Sequence, residues 1–256
     1  METVEIPHAP DDGAIRSAWT IRPVTLRFLG AGTVFLLFGL VPASLYLASG
    51  NGFGPWAAAG FYLAMVIVAA RALEKGYPHA RLGVCNLITL FRAALIGSFA
   101  IPVLWPAGLS DPRHAWLILA IAVFTLALDG VDGYFARKEK LVSSFGARFD
   151  MEVDAVFALA LAIIAFHLDK AGPWVILLGF ARYMFVAATY VWPWLDGPLP
   201  ERFSRKLVCV IQIGVLIAMM APIVTPPVSY GLAAIATVLL IWSFGVDIVW
   251  RKRNRA

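Results

Sequence analysis

Eight apolar stretches, each about the length that crosses a bilayer as a helix, take up nearly all of the 256-residue chain. They run approximately over 24–48, 53–70, 84–105, 115–135, 150–168, 173–195, 207–224 and 228–250. Hydrocarbon offers no water to an open backbone, so such a chain must satisfy its backbone groups inside helices. The pattern predicts an all-α polytopic membrane protein, with no room for a second, soluble domain. Composition agrees: 61% of residues are hydrophobic, 14% are charged, and the mean hydropathy is +0.79. Turn formers punctuate the connections, as in Ser49-Gly50-Asn51-Gly52 and Ala171-Gly172-Pro173. Residues 1–23 are polar and lack the short apolar core and cleavage site of a signal peptide. They are expected to remain as a cytoplasmic N-terminal segment.

The net charge of +5 does not call for nucleic acid, because the basic residues are scattered between the apolar stretches. Lys and Arg favour cytoplasmic loops. With eight spans and both termini cytoplasmic, 17 of the 21 basic residues fall on the cytoplasmic side. Arg113 and Lys170 fall on the other side, and Arg92 and Arg182 lie within spans. Seven spans would destroy that asymmetry. The expected location is therefore the cell membrane, as a multi-pass protein with the bilayer as its surroundings. Cys85 and Cys209 form no disulfide framework and read as ordinary packing residues. The dispersed His8, His79, His114 and His167 make no metal set.

Ionisable residues in spans are costly and mark function by default. Here they gather around one cytoplasmic loop. Asp129, Asp132, Gly133, Ala136 and Arg137 stand at i, i+3, i+4, i+7 and i+8, one stripe of a helix. Asp150 and Asp154, at i and i+4, share a face of the next helix. The loop reverses the chain, so the two stripes can oppose each other. Four carboxylates converging without nearby bases would repel one another, and a divalent cation resolves this. Hard oxygen ligands select Mg²⁺, Mn²⁺ or Ca²⁺, and no His or Cys lies between 129 and 154 to argue for zinc. Gly133 and Ala136 leave the stripe bare enough for a phosphorylated ligand to approach, and Arg137 supplies a cationic fork for phosphate.

The spacing D-x-x-D-G-x-x-A-R, eight residues, G-x-x-x-D-x-x-x-D, met in full from Asp129 to Asp154, resembles the signature of the CDP-alcohol phosphotransferases. The resemblance implies a six-helix bundle over the later spans, preceded here by two extra N-terminal transmembrane helices. Residues 24–74 are then an accessory transmembrane hairpin and 75–256 the CDP-alcohol phosphotransferase domain. It further implies that Asp129, Asp132, Asp150 and Asp154 hold two divalent cations, Mg²⁺ or Mn²⁺, with Asp154 also the general base for the acceptor hydroxyl. By the same resemblance Gly133, Ala136, Arg137 and Gly146 hold the cytidine nucleotide. Asn86, Thr89 and Arg92 follow the Asn-x-x-Thr-x-x-Arg pattern of the preceding family helix. At about 60° apart they line one side, and Asn86 and Thr89 are expected in the nucleotide pocket.

The implied reaction moves a phosphatidyl or other phosphoalkyl group from CDP-diacylglycerol or another CDP-alcohol to an alcohol acceptor, releasing CMP in phospholipid biosynthesis. Arg92, Arg182, Arg205 and Lys206 are the candidates for contacting acceptor or phosphate. For Arg182, pairing with a bundle carboxylate is the competing reading; for Arg205 and Lys206 it is ordinary basic flanking of a span. A Lys-then-Gln spacing, Lys206 and Gln212, loosely resembles members that use glycerol 3-phosphate. Serine, inositol phosphate or another alcohol stays open, since Asp150-Met151-Glu152-Val153-Asp154 departs from the wording common among glycerophosphate users. Asp247 is expected to pair with the basic C-terminal tail. A homodimer is compatible with the resemblance. A cation transporter or an inactive scaffold would be rivals from other classes.

Overall fold

The computed structural model describes residues 21–48, 50–139, 141–195, 197 and 202–254, and the side chains of all of these except 131–139. Residues 1–20 of the N-terminal segment, His8 and several of the counted basic residues, among them Arg16, Lys140 and Arg255, therefore lie outside the described residues. Eight long helices follow one another, with no strand among the described residues. They are α1 (Pro23–Leu47), α2 (Gly54–Gly76), α3 (Val84–Gly97, extended by Ala100–Leu104), α4 (Pro112–Glu139), α5 (Ser144–His167), α6 (Ile176–Val191), α7 (Phe203–Met220) and α8 (Val228–Arg253).

Local chemistry sets several of these boundaries. A π-helical turn, Leu36–Leu40, interrupts α1 just before Pro42. Proline has no N–H to donate and its ring crowds the preceding turn, so a widened turn ahead of it keeps the span continuous. Helix α5 starts at Ser144, six residues before the expected span, because Ser143 caps it: the Ser143 Oγ accepts from the Gly146 N–H at 3.0 Å. Asp150 thus stands in the second turn of α5 rather than at its beginning.

Seven of the eight helices are long and apolar enough to cross a membrane. The eighth, α5, has the length, but Arg148, Asp150, Glu152 and Asp154 occupy its first half. The expected eight spans therefore appear as seven plainly apolar helices around one that carries charge. Large apolar side chains such as Phe38, Val68, Val238 and Ile241 point outward, as they do when lipid is the solvent. The protein is a multi-pass membrane protein.

Helix α3 is the hub, with 67% of its apolar window buried inside the protein, against 22–33% for the other six apolar spans. Helix α5 packs most extensively on α6 and also on α3 and α7. The α5–α6 crossing is close because of Gly179, where a Cβ would stand 2.4 Å from the Leu159 Cα. Small residues let helix backbones approach in membranes.

The α1–α2 pair is fastened to the later bundle at one end. Thr25 of α1 donates to Glu74 of α2 within the pair, and Arg22 Nη1 donates at 2.9 Å to the carbonyl of Tyr77, in the connection to α3. Phe28, fully buried, meets Phe145 and Phe149 of α5 edge-on at centroid distances of 6.3 and 5.7 Å.

Candidate active site

Asp129 near the end of α4 and Asp150 and Asp154 near the start of α5 converge, each offering a carboxylate oxygen within 4.8 Å of the others. The fourth predicted ligand, Asp132, and the predicted nucleotide-site residues Gly133, Ala136 and Arg137 have their backbones in α4, but their side chains lie outside the described residues.

The acids are not without a base, contrary to the expectation of carboxylates converging with none nearby. Arg92 of α3 reaches into the cluster: Nη1 is 2.8 Å from Asp129 Oδ1 and 2.6 Å from Asp150 Oδ1, and Nη2 donates to Asp154. Its side chain is 1% exposed, whereas those of the three aspartates are 32–36% exposed. One buried guanidinium thus spans carboxylates from two helices, while each carboxylate keeps an open side. Arg92, a candidate for contacting acceptor or phosphate, bonds here to the aspartates. The signal for this was present, since an arginine in a span must find an anion, and three lay within reach once the chain folded back.

Three carboxylates and one guanidinium still carry net negative charge. Their oxygens are hard ligands at a spacing that one or more divalent cations can bridge, so the donor set fits Mg²⁺ or Mn²⁺.

Beside the cluster, Asn86 and Gly146 meet. A Cβ on Gly146 would lie 3.0 Å from the Asn86 Oδ1, so glycine lets α5 approach α3 here. Asn86 is buried, and its Nδ2 lies 3.4 Å from the Tyr77 Oη, which also accepts from the Gly83 N–H at 3.2 Å and donates to the Arg81 carbonyl at 2.9 Å. Thr89, buried one turn on, donates to the Cys85 carbonyl at 3.0 Å. The part of Tyr77 in seating the start of α3 had no sequence signal, since it depends on a loop conformation.

Arg182 and Arg205 have carboxylate partners outside the aspartate cluster. Arg182 of α6 pairs with Glu152, which faces away from Asp150 and Asp154 on α5, so the carboxylate reading describes its place. Arg205 donates to Asp247 through Nε at 2.9 Å, and Arg202 through Nη1 at 2.8 Å. Asp247 is therefore held by the start of α7 rather than by the C-terminal tail, because α7 and α8 run side by side at that level. Lys206 is exposed on the first turn of α7. His79, His114 and His167 each lie within hydrogen-bonding distance of a backbone carbonyl, those of Val142, Gly108 and Val103.

A model of the CDP-alcohol phosphatidyltransferase family matches residues 82–246, from just before α3 into α8 and including every aspartate of the cluster. The chain belongs to this family, and it is a transferase. It is similar to the CDP-diacylglycerol–glycerol-3-phosphate 3-phosphatidyltransferase of Bacillus subtilis, with 36% identity over 105 residues, 38% of this chain and 54% of that protein. It is also similar to the proteins of the same name from Pectobacterium atrosepticum, 31% over 176 residues (62% and 88% of the two chains), and Yersinia pseudotuberculosis, 30% over 183 residues (64% and 91%). No solved structure matches the chain.

Proposed function

We propose that the protein transfers the phosphatidyl group of CDP-diacylglycerol to a hydroxyl of glycerol 3-phosphate, with release of CMP. The observation that carries this reading is the convergence of Asp129, Asp150 and Asp154 within 4.8 Å, inside the family-matched segment. The acceptor assignment leans on the names of the three relatives given above, each of which specifies glycerol 3-phosphate.

Asp129, Asp132, Asp150 and Asp154 would hold two divalent cations, Mg²⁺ or Mn²⁺. When bound, these supply positive charge to the diphosphate and to the departing CMP. Asp154 takes the proton of the acceptor hydroxyl as its oxygen bonds to the phosphorus that carries diacylglycerol. The bond from that phosphorus to the oxygen bridging to CMP breaks, and CMP leaves with the electron pair. Arg92 acts through the acids: its planar fork fixes the orientation of carboxylates from α4 and α5. Asn86, Thr89, Gly133, Ala136, Arg137 and Gly146 form the cytidine site. Glycine at 146 lets α5 come close enough to α3 to set Asn86 against the start of α5.

The reaction end of the bundle faces the cytoplasm in this reading, with both termini on that side of the cell membrane. Residues 24–74 form an accessory hairpin and 75–256 the catalytic domain. Asp129, Asp150 and Asp154 of the cluster all come from one chain.

Purified protein should release CMP from CDP-diacylglycerol only with Mg²⁺ or Mn²⁺ present, and fastest with glycerol 3-phosphate among glycerol 3-phosphate, serine, inositol phosphate and choline. A preference for serine or inositol phosphate would overturn the acceptor. Absence of metal-dependent CMP release with every acceptor would overturn the reaction and favour a cation carrier or an inactive scaffold.

A further inference from the structure

A groove of about 490 Å³ runs between α2 and α5. Over most of its length it is apolar, with Phe61, Met65 and Val68 on α2 and Phe149, Val153 and Val156 on α5. Where α2 ends and α5 begins, the lining changes to Ala72, Gly76, Ser144 and Arg148. The α5 wall of the groove lies roughly 120° round the helix from Asp150 and Asp154, so a molecule seated here is separated from the carboxylate cluster by α5 itself. Helix α2 precedes the family-matched segment, and the family bundle alone would lack one wall of this groove.

Two features identify the occupant. The groove lies along α2, one of the helices long and apolar enough to cross a membrane, and its own lining is apolar over most of its length, so a hydrocarbon chain fills that length. Its polar end carries an uncompensated cation: Arg148 is exposed and has no ion-pair partner among the described residues. Arg71 and Lys75, also exposed, add positive charge at the same end of α2. The one acid in the lining, Glu152, is paired with Arg182. We propose that the groove is a binding site for a resident anionic phospholipid, with an acyl chain between α2 and α5 and its phosphate against Arg148.

Bilayer hydrocarbon is as apolar as the groove wall, so the chain gains little by moving between them. Choice among lipids then falls to the headgroup. A cation at the membrane surface favours an anionic lipid by a factor of about five. The site is therefore a selector of lipid charge, and the accessory hairpin supplies one of its walls.

The test uses the full chain in detergent, stripped of lipid and then incubated with dioleoylphosphatidylglycerol or dioleoylphosphatidylcholine without metal or CDP-lipid. Bound lipid is counted by native mass spectrometry, so the result is independent of the transfer reaction. The wild type should retain phosphatidylglycerol over phosphatidylcholine, and Arg148→Gln should cut that preference about fivefold. Ala64→Trp and Ala72→Trp, at exposed positions lining the groove, should lower retention of both lipids while helical circular dichroism and CMP release stay at wild-type levels. Equal retention of the two lipids by the wild type, a preference unchanged in Arg148→Gln, or full retention in both tryptophan variants would each overturn the site.

Discussion

Arg92 and Asp150, 58 residues apart in the chain, meet at 2.6 Å, and the same guanidinium also contacts Asp129 and Asp154. This contact ties the hub helix α3 to both acid-bearing helices. Its loss leaves three clustered carboxylates without their internal countercharge. Truncating one partner of a buried ion pair is costly, and with the acids about a third exposed the expected loss for Arg92→Met is about 2–3 kcal/mol. Thermal melting in detergent with EDTA should show a lowered Tm. Adding Mn²⁺ should raise the variant's Tm by more than it raises that of the wild type, because the ion then supplies the missing charge. Equal shifts would mean that Arg92 and the ion do not share these ligands.

Asp154→Asn separates proton removal from binding. Turnover should fall by roughly 10²–10⁴-fold, the usual contribution of a positioned base, while CDP-lipid still binds. Asp129→Asn should instead weaken metal-dependent nucleotide binding itself. Both are read by CMP release alongside titration with CDP-diacylglycerol. Near-normal turnover in Asp154→Asn would remove it from the role of base.

Gly179→Ala drives a Cβ to within 2.4 Å of the Leu159 backbone at the α5–α6 crossing. Overpacking of this kind costs about 1–3 kcal/mol, so the melting temperature should drop. Gly214→Ala on α7, where a Cβ meets nothing within 4 Å, is the control and should leave Tm unchanged or slightly higher.

Phe28→Ala removes a fully buried ring from its edge-on contacts with Phe145 and Phe149. Core truncations of phenylalanine cost about 3–5 kcal/mol. Because those two rings seat the first turns of α5, CMP release should fall together with Tm, and Phe28→Leu should recover most of both. Full activity in Phe28→Ala would show that the hairpin does not support the position of α5.

Much of this was legible because the membrane makes helix periodicity and charge placement strict. The apolar runs mark all eight helices, and the i, i+4 spacing of Asp150 and Asp154 alone puts them on one face. What escaped was partnership across helices. Arg92 reads equally well as a ligand contact or as a counter-ion, since spacing within α3 does not say what stands opposite. The basic tail is nearest to Asp247 in sequence, yet the side-by-side packing of α7 and α8 brings Arg202 and Arg205 onto it. The early start of α5 turned on a single capping serine, which an apolarity pattern does not register.

The arginine–carboxylate contact also bears on how the chain is made. An arginine or an aspartate at the centre of a span costs insertion roughly 2.5–3.5 kcal/mol, so Arg92 offsets part of what the apolar residues of α3 gain on entering lipid, and the acids of α5 act in the same direction there. Synthesis delivers α3 well before α5, and for that interval the cation is without the anions that will later surround it. Helices α1 and α2, whose own charged residues sit at one end, can settle first and give α3 a protein surface to lean on. The acid-bearing helix then enters against a waiting positive charge, so membrane integration of the two helices becomes one coupled event.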